Sequence, residues 1–400
     1  MMKKIEGAVT APKGFSAAGV RCGIKAQGTD LALIVSDVDA SCAGLFTTNV
    51  FKAAPVLVSS EHASSGYARA IVANSGNANA CTGERGINDA VRMTNLVADA
   101  SGLNLNDVMV CSTGVIGHFL PMDKIETGIK AAAKALSPGG GLDAARAIMT
   151  TDLRMKAVAY EFEINGKPVR MGAIAKGSGM ICPNVATMFC FITTDAAIEP
   201  EVLHSCLAKS AECSFNSLTV DGDTSTNDSV IMLANGLAGN KKIELGTPAL
   251  EVFQSALDTI TVEFAREIAR DGEGATKLVE VVVKNAAGYQ DAKTIALTIA
   301  NSPLVKTAVF GEDPNWGRIL AAAGRSGVKL DPVKTDLYLG DVLIVQNGNP
   351  LDLSADEARR PMLEPEIVVT LDLNMGSSSA KVFTCDFSYD YIKINAEYHT

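Results

Sequence analysis

Histidine is scarce in this chain: four in 400 residues (His62, His118, His204 and His399), far apart and never at the spacing of a metal-binding pair. A metal hydrolase or a histidine-based triad therefore has little to work with, since either needs several ligands or bases in one place. The nine cysteines include no Cys-x-x-Cys pair, and their odd number and scatter fit a reducing compartment better than a disulfide framework. No Lys/Arg cluster is present, and the formal net charge is -10 with a pI near 5.0, so nucleic acid is not an expected partner. No apolar run approaches the ~20 residues that span a bilayer. The first 23 residues mix charges with small side chains, so neither a signal peptide nor a membrane anchor is read there, and a soluble, cytoplasmic protein is expected.

What the chain does have is core-forming material: 47% of its residues are hydrophobic, enough for one large α/β body or two to three domains. Helical periodicity with end signals marks Asp89 to Ala100, Lys124 to Leu136, Asp143 to Met149 and, longest, Pro248 to Arg270, where Leu250, Phe253, Leu257, Ile260, Phe264 and Ile268 share one face. Alternation over Val158 to Ile164, a turn at Asn165 and Gly166, and a return over Val169 to Ala175 predict a hairpin. Further strands are expected at Val230 to Leu233, Leu278 to Val283, Leu337 to Val345, Ile367 to Leu373 and Val382 to Ile394. Strands and helices interleave without a repeat, which predicts a mixed α/β fold of layered sheets and helices. The Gly-rich stretch Ser137 to Gly141 is the best local candidate for a linker, or else a helix end.

One segment is chemically odd. From Lys176, a glycine-bearing stretch and Pro183 lead to small Ala186, then Thr187, then the apolar run Met188 to Ile192. A threonine that opens a buried strand after a constrained turn can attack the carbonyl just upstream and shift the acyl group from nitrogen to oxygen; water then splits the ester. The cut frees an α-amine that can serve as base for the same residue's hydroxyl, because such an amine titrates near pH ~8. Histidine is then unnecessary. Local sequence alone also fits a plainer reading, a loop followed by a core strand.

The run Lys176-Gly-Ser-Gly-Met180 with Pro183, Asn184, Ala186, Thr187 and Met188 resembles the processing site of the bifunctional glutamate N-acetyltransferase/ornithine acetyltransferase family of arginine biosynthesis. The resemblance extends, in order, through Asn74 to Gly83, Ser112 to Gly117, Thr219 to Thr224, Asp271 to Thr276, Trp316 to Arg318 and Ile394 to Thr400, and so spans nearly the whole chain. The departures at Cys182, Val185, Phe189 and Cys190 are apolar or small; His399 stands where a basic Arg is frequent.

The resemblance implies an N-terminal-nucleophile-like fold, cleavage between Ala186 and Thr187, and two fragments, 1–186 and 187–400, acting as one catalytic unit. It implies Thr187 as nucleophile and its own base, with the Thr113 hydroxyl and the Gly114 N–H as oxyanion donors. Thr150, Lys176, Thr187, Glu273, Asn395 and Thr400 are the implied substrate contacts. The implied substrates are N-acetylornithine as acetyl donor and glutamate as acceptor. Acetyl-CoA is a further donor that the family admits, although no stretch here reads as a dedicated site for it. No metal or prosthetic group is called for, and an α2β2 assembly is implied.

Rival functions remain open on mechanism alone. A Thr-dependent aminopeptidase or amidase differs only in letting water resolve the acyl-enzyme. An ATP-dependent amino-acid kinase is disfavoured by the lack of a Gly-x-x-x-x-Gly-Lys-Ser/Thr loop. A non-catalytic amino-acid-binding protein would have no reason to cut itself, so the mature mass separates it.

Overall fold

The structure, a computed structural model, describes residues 2–182 and 188–397. Among these, a nine-stranded sheet is built from β1 (Lys3–Ile5), β2 (Phe15–Val20), β3 (Leu31–Phe46), β4 (Tyr67–Asn77), β5 (Val108–Val115), β6 (Lys156–Ile164), β7 (Lys167–Lys176), β8 (Phe189–Thr194) and β9 (Ser229–Ala234). Its order is β1-β6-β7-β8-β9-β3-β4-β5, with β2 also on β3. A six-stranded sheet carries β10 (Leu278–Ala286), β11 (Asp336–Leu339), β12 (Val342–Gln346), β13 (Asn349–Pro350), β14 (Glu366–Asp372) and β15 (Ser378–Cys385), in the order β13-β12-β11-β14-β10-β15. The fold is mixed α/β, as the sequence predicts.

The middle of the large sheet is set by composition. Every residue of β8 (FCFITT) and β9 (SVIMLA) is buried, the pattern of strands covered on both faces. The predicted β6–β7 hairpin is present, with Asn165 and Gly166 both at positive φ, as a two-residue turn between right-twisted strands requires. β7 then pairs antiparallel with β8, from Met171 opposite Thr194 to Lys176 opposite Phe189.

Helices cover the sheets with the faces their periodicity predicts. In Pro248–Arg270, Phe253, Leu257, Ile260, Phe264 and Ile268 are all buried, each such side chain contributing roughly 2 kcal/mol by leaving water. Its start is set by Thr247, whose hydroxyl accepts the Leu250 N–H, and by Pro248 in the first turn. The stripe joins one core with β6 to β9, the helix Pro200–Cys213, and Leu278 and Phe383 of the smaller sheet, so this helix is wedged between the two sheets. On the other face of the large sheet lies Gly141–Ile148, whose Ala144, Ala145, Ala147 and Ile148 are buried against β2, β3 and β7. Helices Gly83–Ser101 and Met122–Ala135 cover its β4–β5 end.

Three expectations change. Ser137 to Gly141 is not a linker but the alternative, a helix end: Met122–Ala135 stops before it, Ser137 exchanges backbone hydrogen bonds with Ala17, and Gly141 begins a helix packed on the sheet. Leu337 to Val345 is a hairpin, β11 and β12, broken at Gly340, which sits at positive φ. Val382 to Ile394 is not one strand: β15 ends at Cys385, and Tyr389–Glu397 is a helix started by Ser388, whose hydroxyl accepts the Asp390 N–H.

Candidate active site

Several chain segments that are remote in sequence meet where β5 and β7 end and β8 begins. Lys176, the last residue of β7, is buried, and its Nζ donates to Thr113 Oγ1 at 3.3 Å. Thr113 and Gly114 lie near the end of β5, beside Ser75 to Asn77 of β4, where the register shifts. Gly114 adopts φ +130°, and a Cβ there would stand 2.4 Å from the Gly76 carbonyl carbon and 2.5 Å from the Asn77 nitrogen. Only glycine fits, which lets two backbones approach at the edge of the site. Thr113 accepts from Lys176, so its own O–H remains free to donate to a developing negative charge.

A buried charge network stands behind Lys176. Asp152 Oδ1 accepts from Lys156 Nζ at 2.8 Å and from the Gly177 N–H at 2.7 Å, while Oδ2 accepts from the Thr150 N–H at 3.1 Å. Lys156 also reaches Asp271 Oδ2 at 2.6 Å, an oxygen that takes the Leu153 and Arg154 N–H groups as well. Burial alone would raise the Asp152 pKa, but the nearby Lys176 and Lys156 ammonium groups and these hydrogen bonds outweigh it and hold the carboxyl down to about 2. For Lys176, burial pushes the ammonium pKa down, opposed by Asp152, Asp228 and Glu273.

That arrangement has a measurable consequence. A carboxyl depressed from 3.8 to about 2 stabilises the fold fully above its unfolded pKa, and the contribution disappears as pH falls through 2. The size is about 2 kcal/mol. Denaturant unfolding of Asp152→Asn and the parent chain, followed from pH 5 to about pH 2, should show the parent losing that much more stability than the variant. Parallel acid limbs would mean that Asp152 is not held ionised.

The segment entering β8 is anchored at both described ends. On one side, the Met180 and Ile181 N–H groups donate to Asp221 at 2.6 and 2.8 Å, a carboxyl that burial pushes up to about 6 despite these bonds. On the other, the Met188 N–H donates to Asp228 Oδ1 at 3.0 Å, and the Ser229 N–H to the Met188 carbonyl at 3.1 Å. Asp228 is buried, its pKa is driven well up by that burial, and its Oδ2 has no hydrogen-bond partner among the described residues. Glu273 comes in from the loop after the long helix: its N–H donates to the Ser178 carbonyl at 2.8 Å, and its carboxylate fills the space that a Cβ on Gly179 would take. The C-terminal helix delivers Asn395, whose Nδ2 donates to Glu273 Oε2 at 3.0 Å.

Lys176 is thus bonded to Thr113, next to Gly114, and Asn395 to Glu273, while Thr150 and Glu273 reach the Lys176–Ser178 stretch through Asp152 and the Ser178 carbonyl. Ala186, Thr187 and Thr400 lie outside the described residues. Asp152, Asp228 and Lys25 were not picked out from the sequence. The first carries a faint signal, four residues before Lys156, and the second stands two residues before the apolar run Val230 to Leu233; Lys25 carries none.

The chain matches the ArgJ family over residues 16–400. It is 52% identical to the arginine biosynthesis bifunctional protein ArgJ of Symbiobacterium thermophilum and 50% identical to that of Caldanaerobacter subterraneus subsp. tengcongensis, in both cases over 100% of each chain. A crystal structure of arginine biosynthesis bifunctional protein argJ from Bacillus halodurans is 40% identical, with a TM-score of 0.51, over 98% of that chain and 52% of this one. Full-length similarity at this level, together with the convergence of the motif residues on one site, means that the chain belongs to the ArgJ family and is an acetyltransferase of arginine biosynthesis.

Proposed function

We propose that the chain cuts itself between Ala186 and Thr187 and then transfers acetyl from N-acetylornithine to glutamate through an acetyl ester on Thr187. The fragments 1–186 and 187–400 stay together as one catalytic unit, in a cytoplasmic α2β2 assembly. In the first half-reaction the Thr187 hydroxyl, activated by its own α-amine, attacks the acetyl carbonyl of N-acetylornithine. The oxyanion takes hydrogen bonds from the Thr113 hydroxyl and the Gly114 N–H, the proton passes to the leaving nitrogen, and ornithine departs. Glutamate then attacks the ester through its amino group and leaves as N-acetylglutamate. Lys176 offers an ammonium to a substrate carboxylate, and Thr150, Glu273, Asn395 and Thr400 supply polar contacts. The chemistry needs no metal or prosthetic group, and acetyl-CoA is a second donor for the same ester.

The observation that carries this reading is the contact between Lys176 and Thr113, 63 residues apart. That contact supports the reading because Lys176 and Thr113, the cation and the oxyanion donor proposed here, come from separate motifs of the one set. The Bacillus halodurans chain, 98% of which matches 52% of this one, has the extent that a single fragment would have.

The test is to mix processed enzyme with N-acetylornithine in the absence of glutamate, quench, and weigh the fragments. One acetyl group on the fragment that begins at Thr187, discharged when glutamate is added, is the expected result. Turnover with no acetylated fragment would point instead to direct transfer in a ternary complex.

A further inference from the structure

We propose that Lys25 takes the second carboxylate of the acceptor, and so makes the site select a dicarboxylic amino acid in the acetyl-discharging half-reaction. The proposal rests on the function given above and adds to it a residue that determines acceptor specificity.

The argument begins with how the loop before β3 is held. Asp30, wholly buried, accepts the backbone N–H groups of Cys22 at 2.6 Å, Gly23 at 2.9 Å, Ile24 at 2.6 Å and Lys25 at 3.0 Å. Its own carbonyl accepts the Ser75 N–H at 2.9 Å, which ties the loop to β4. Four donors around one carboxylate leave the backbone at Lys25 little freedom, so the point from which its side chain departs is fixed by the fold.

That side chain runs into the active site. Its stem crosses Gly76, where a Cβ would come within 2.8 Å of Lys25 Cγ, and Gly76 is the residue opposite Gly114. Its Nζ ends at the Met149 carbonyl, 2.9 Å away and one residue before Thr150. From there the path to Lys176 is short: the Thr150 N–H is on Asp152, and Asp152 holds the Gly177 N–H. Lys25 therefore closes the part of the site bounded by the oxyanion strand and the end of the helix Gly141–Ile148.

Charge accounting says what this ammonium is for. Among the described residues Lys25 forms no ion pair, and its hydrogen-bond acceptor is a neutral carbonyl, which leaves donors unused on the ammonium. Asp152 is already shared between Lys156 and the nearby Lys176. Half-burial pushes the Lys25 pKa down, opposed by Asp30 and Asp152 and aided by Lys176. Lys176 and Lys25 thus both stand beside the Gly76–Gly114 contact, where β4 and β5 end, and the proposal sets the acceptor against the two ammonium groups. Ornithine carries one carboxylate, whereas glutamate carries two. Lys176 and Lys25 match glutamate's pair of anionic groups, which Lys176 alone would not.

The test compares glutamate with glutamine, an acceptor of the same length without the second charge. Wild type, Lys25→Met and Lys25→Arg are each processed, charged with N-acetylornithine, and assayed for kcat/KM with both acceptors. The proposal expects the glutamate-to-glutamine ratio to fall roughly 10- to 100-fold in Lys25→Met, the scale of one charge-assisted hydrogen bond, and to be largely kept in Lys25→Arg. A purely structural role for Lys25, as a prop for the Met149 carbonyl, would lower both acceptors together and leave the ratio unchanged, which overturns the proposal. Failure of the wild type to form an acetyl-enzyme is a separate result: it overturns the underlying function, whereas a charged enzyme with an unchanged ratio overturns only the role of Lys25.

Discussion

Thr187→Ala should yield one uncut chain of 41.7 kDa with no measurable acetyl transfer, whereas the parent protein resolves into two fragments, the second beginning at Thr187. Both losses have one cause. In the proposed mechanism the hydroxyl that attacks the Ala186 carbonyl is the one that later carries acetyl, and without the cut there is no α-amine to deprotonate it. Removal of a nucleophile that acts together with its base lowers turnover by roughly four orders of magnitude or more. Thr187→Ser keeps a hydroxyl and should still mature and turn over, at reduced rates. Intact masses and N-terminal sequences of the three proteins, beside a coupled ornithine assay, decide the matter. An uncut chain that still transfers acetyl would sink the mechanism.

Thr113→Val should lower kcat by about 100- to 1,000-fold while changing the KM for N-acetylornithine little, because a donor aimed at the tetrahedral oxygen acts mainly in the transition state. Valine keeps the shape and the branched Cβ, so the end of β5 should be undisturbed. What is lost is the O–H, together with the acceptor for Lys176 Nζ. Thr113→Ser restores both and should recover most of the rate. The proposed self-cleavage would pass through a tetrahedral oxyanion as well, so the comparison has to use fully processed protein. A valine variant within tenfold of the parent would remove Thr113 from the oxyanion hole.

Legibility in the sequence followed the range of the interactions. The helix Pro248–Arg270 was readable end to end because its stripe, cap and proline are all local. The β6–β7 hairpin was readable for the same reason. The sixteen-residue β3 was not: the polar stretch Ser36 to Asp39 breaks its alternation. The strand leaves β2 at Ser36, has a register shift against β4 between Val35 and Ala40, and pairs with β9 from Ser41 onward. At the C-terminus, alternating residues predict a strand through Ile394, but Ser388 starts a helix instead. In the site, Thr113, Lys176 and Glu273 came from motif resemblance, and the structure links them. Asp152, Asp228 and Lys25 owe their importance to partners 25, 40 and 124 residues away, which no local pattern encodes.

The ladder between β7 and β8 gives the proposed cleavage a consequence for molecularity. These neighbouring strands pair from Met171 opposite Thr194 to Lys176 opposite Phe189, and their side chains enter one common core. Scission between Ala186 and Thr187, as proposed, would remove the covalent tether from that pairing and leave its hydrogen bonds in place. The precursor would then fold as a first-order process, with the two strands at high effective concentration, while the cut enzyme would unfold into two separate molecules. Its stability would thereafter depend on how much protein is present. Cleavage would thus also be the step after which the native state is regained only by an encounter between two chains.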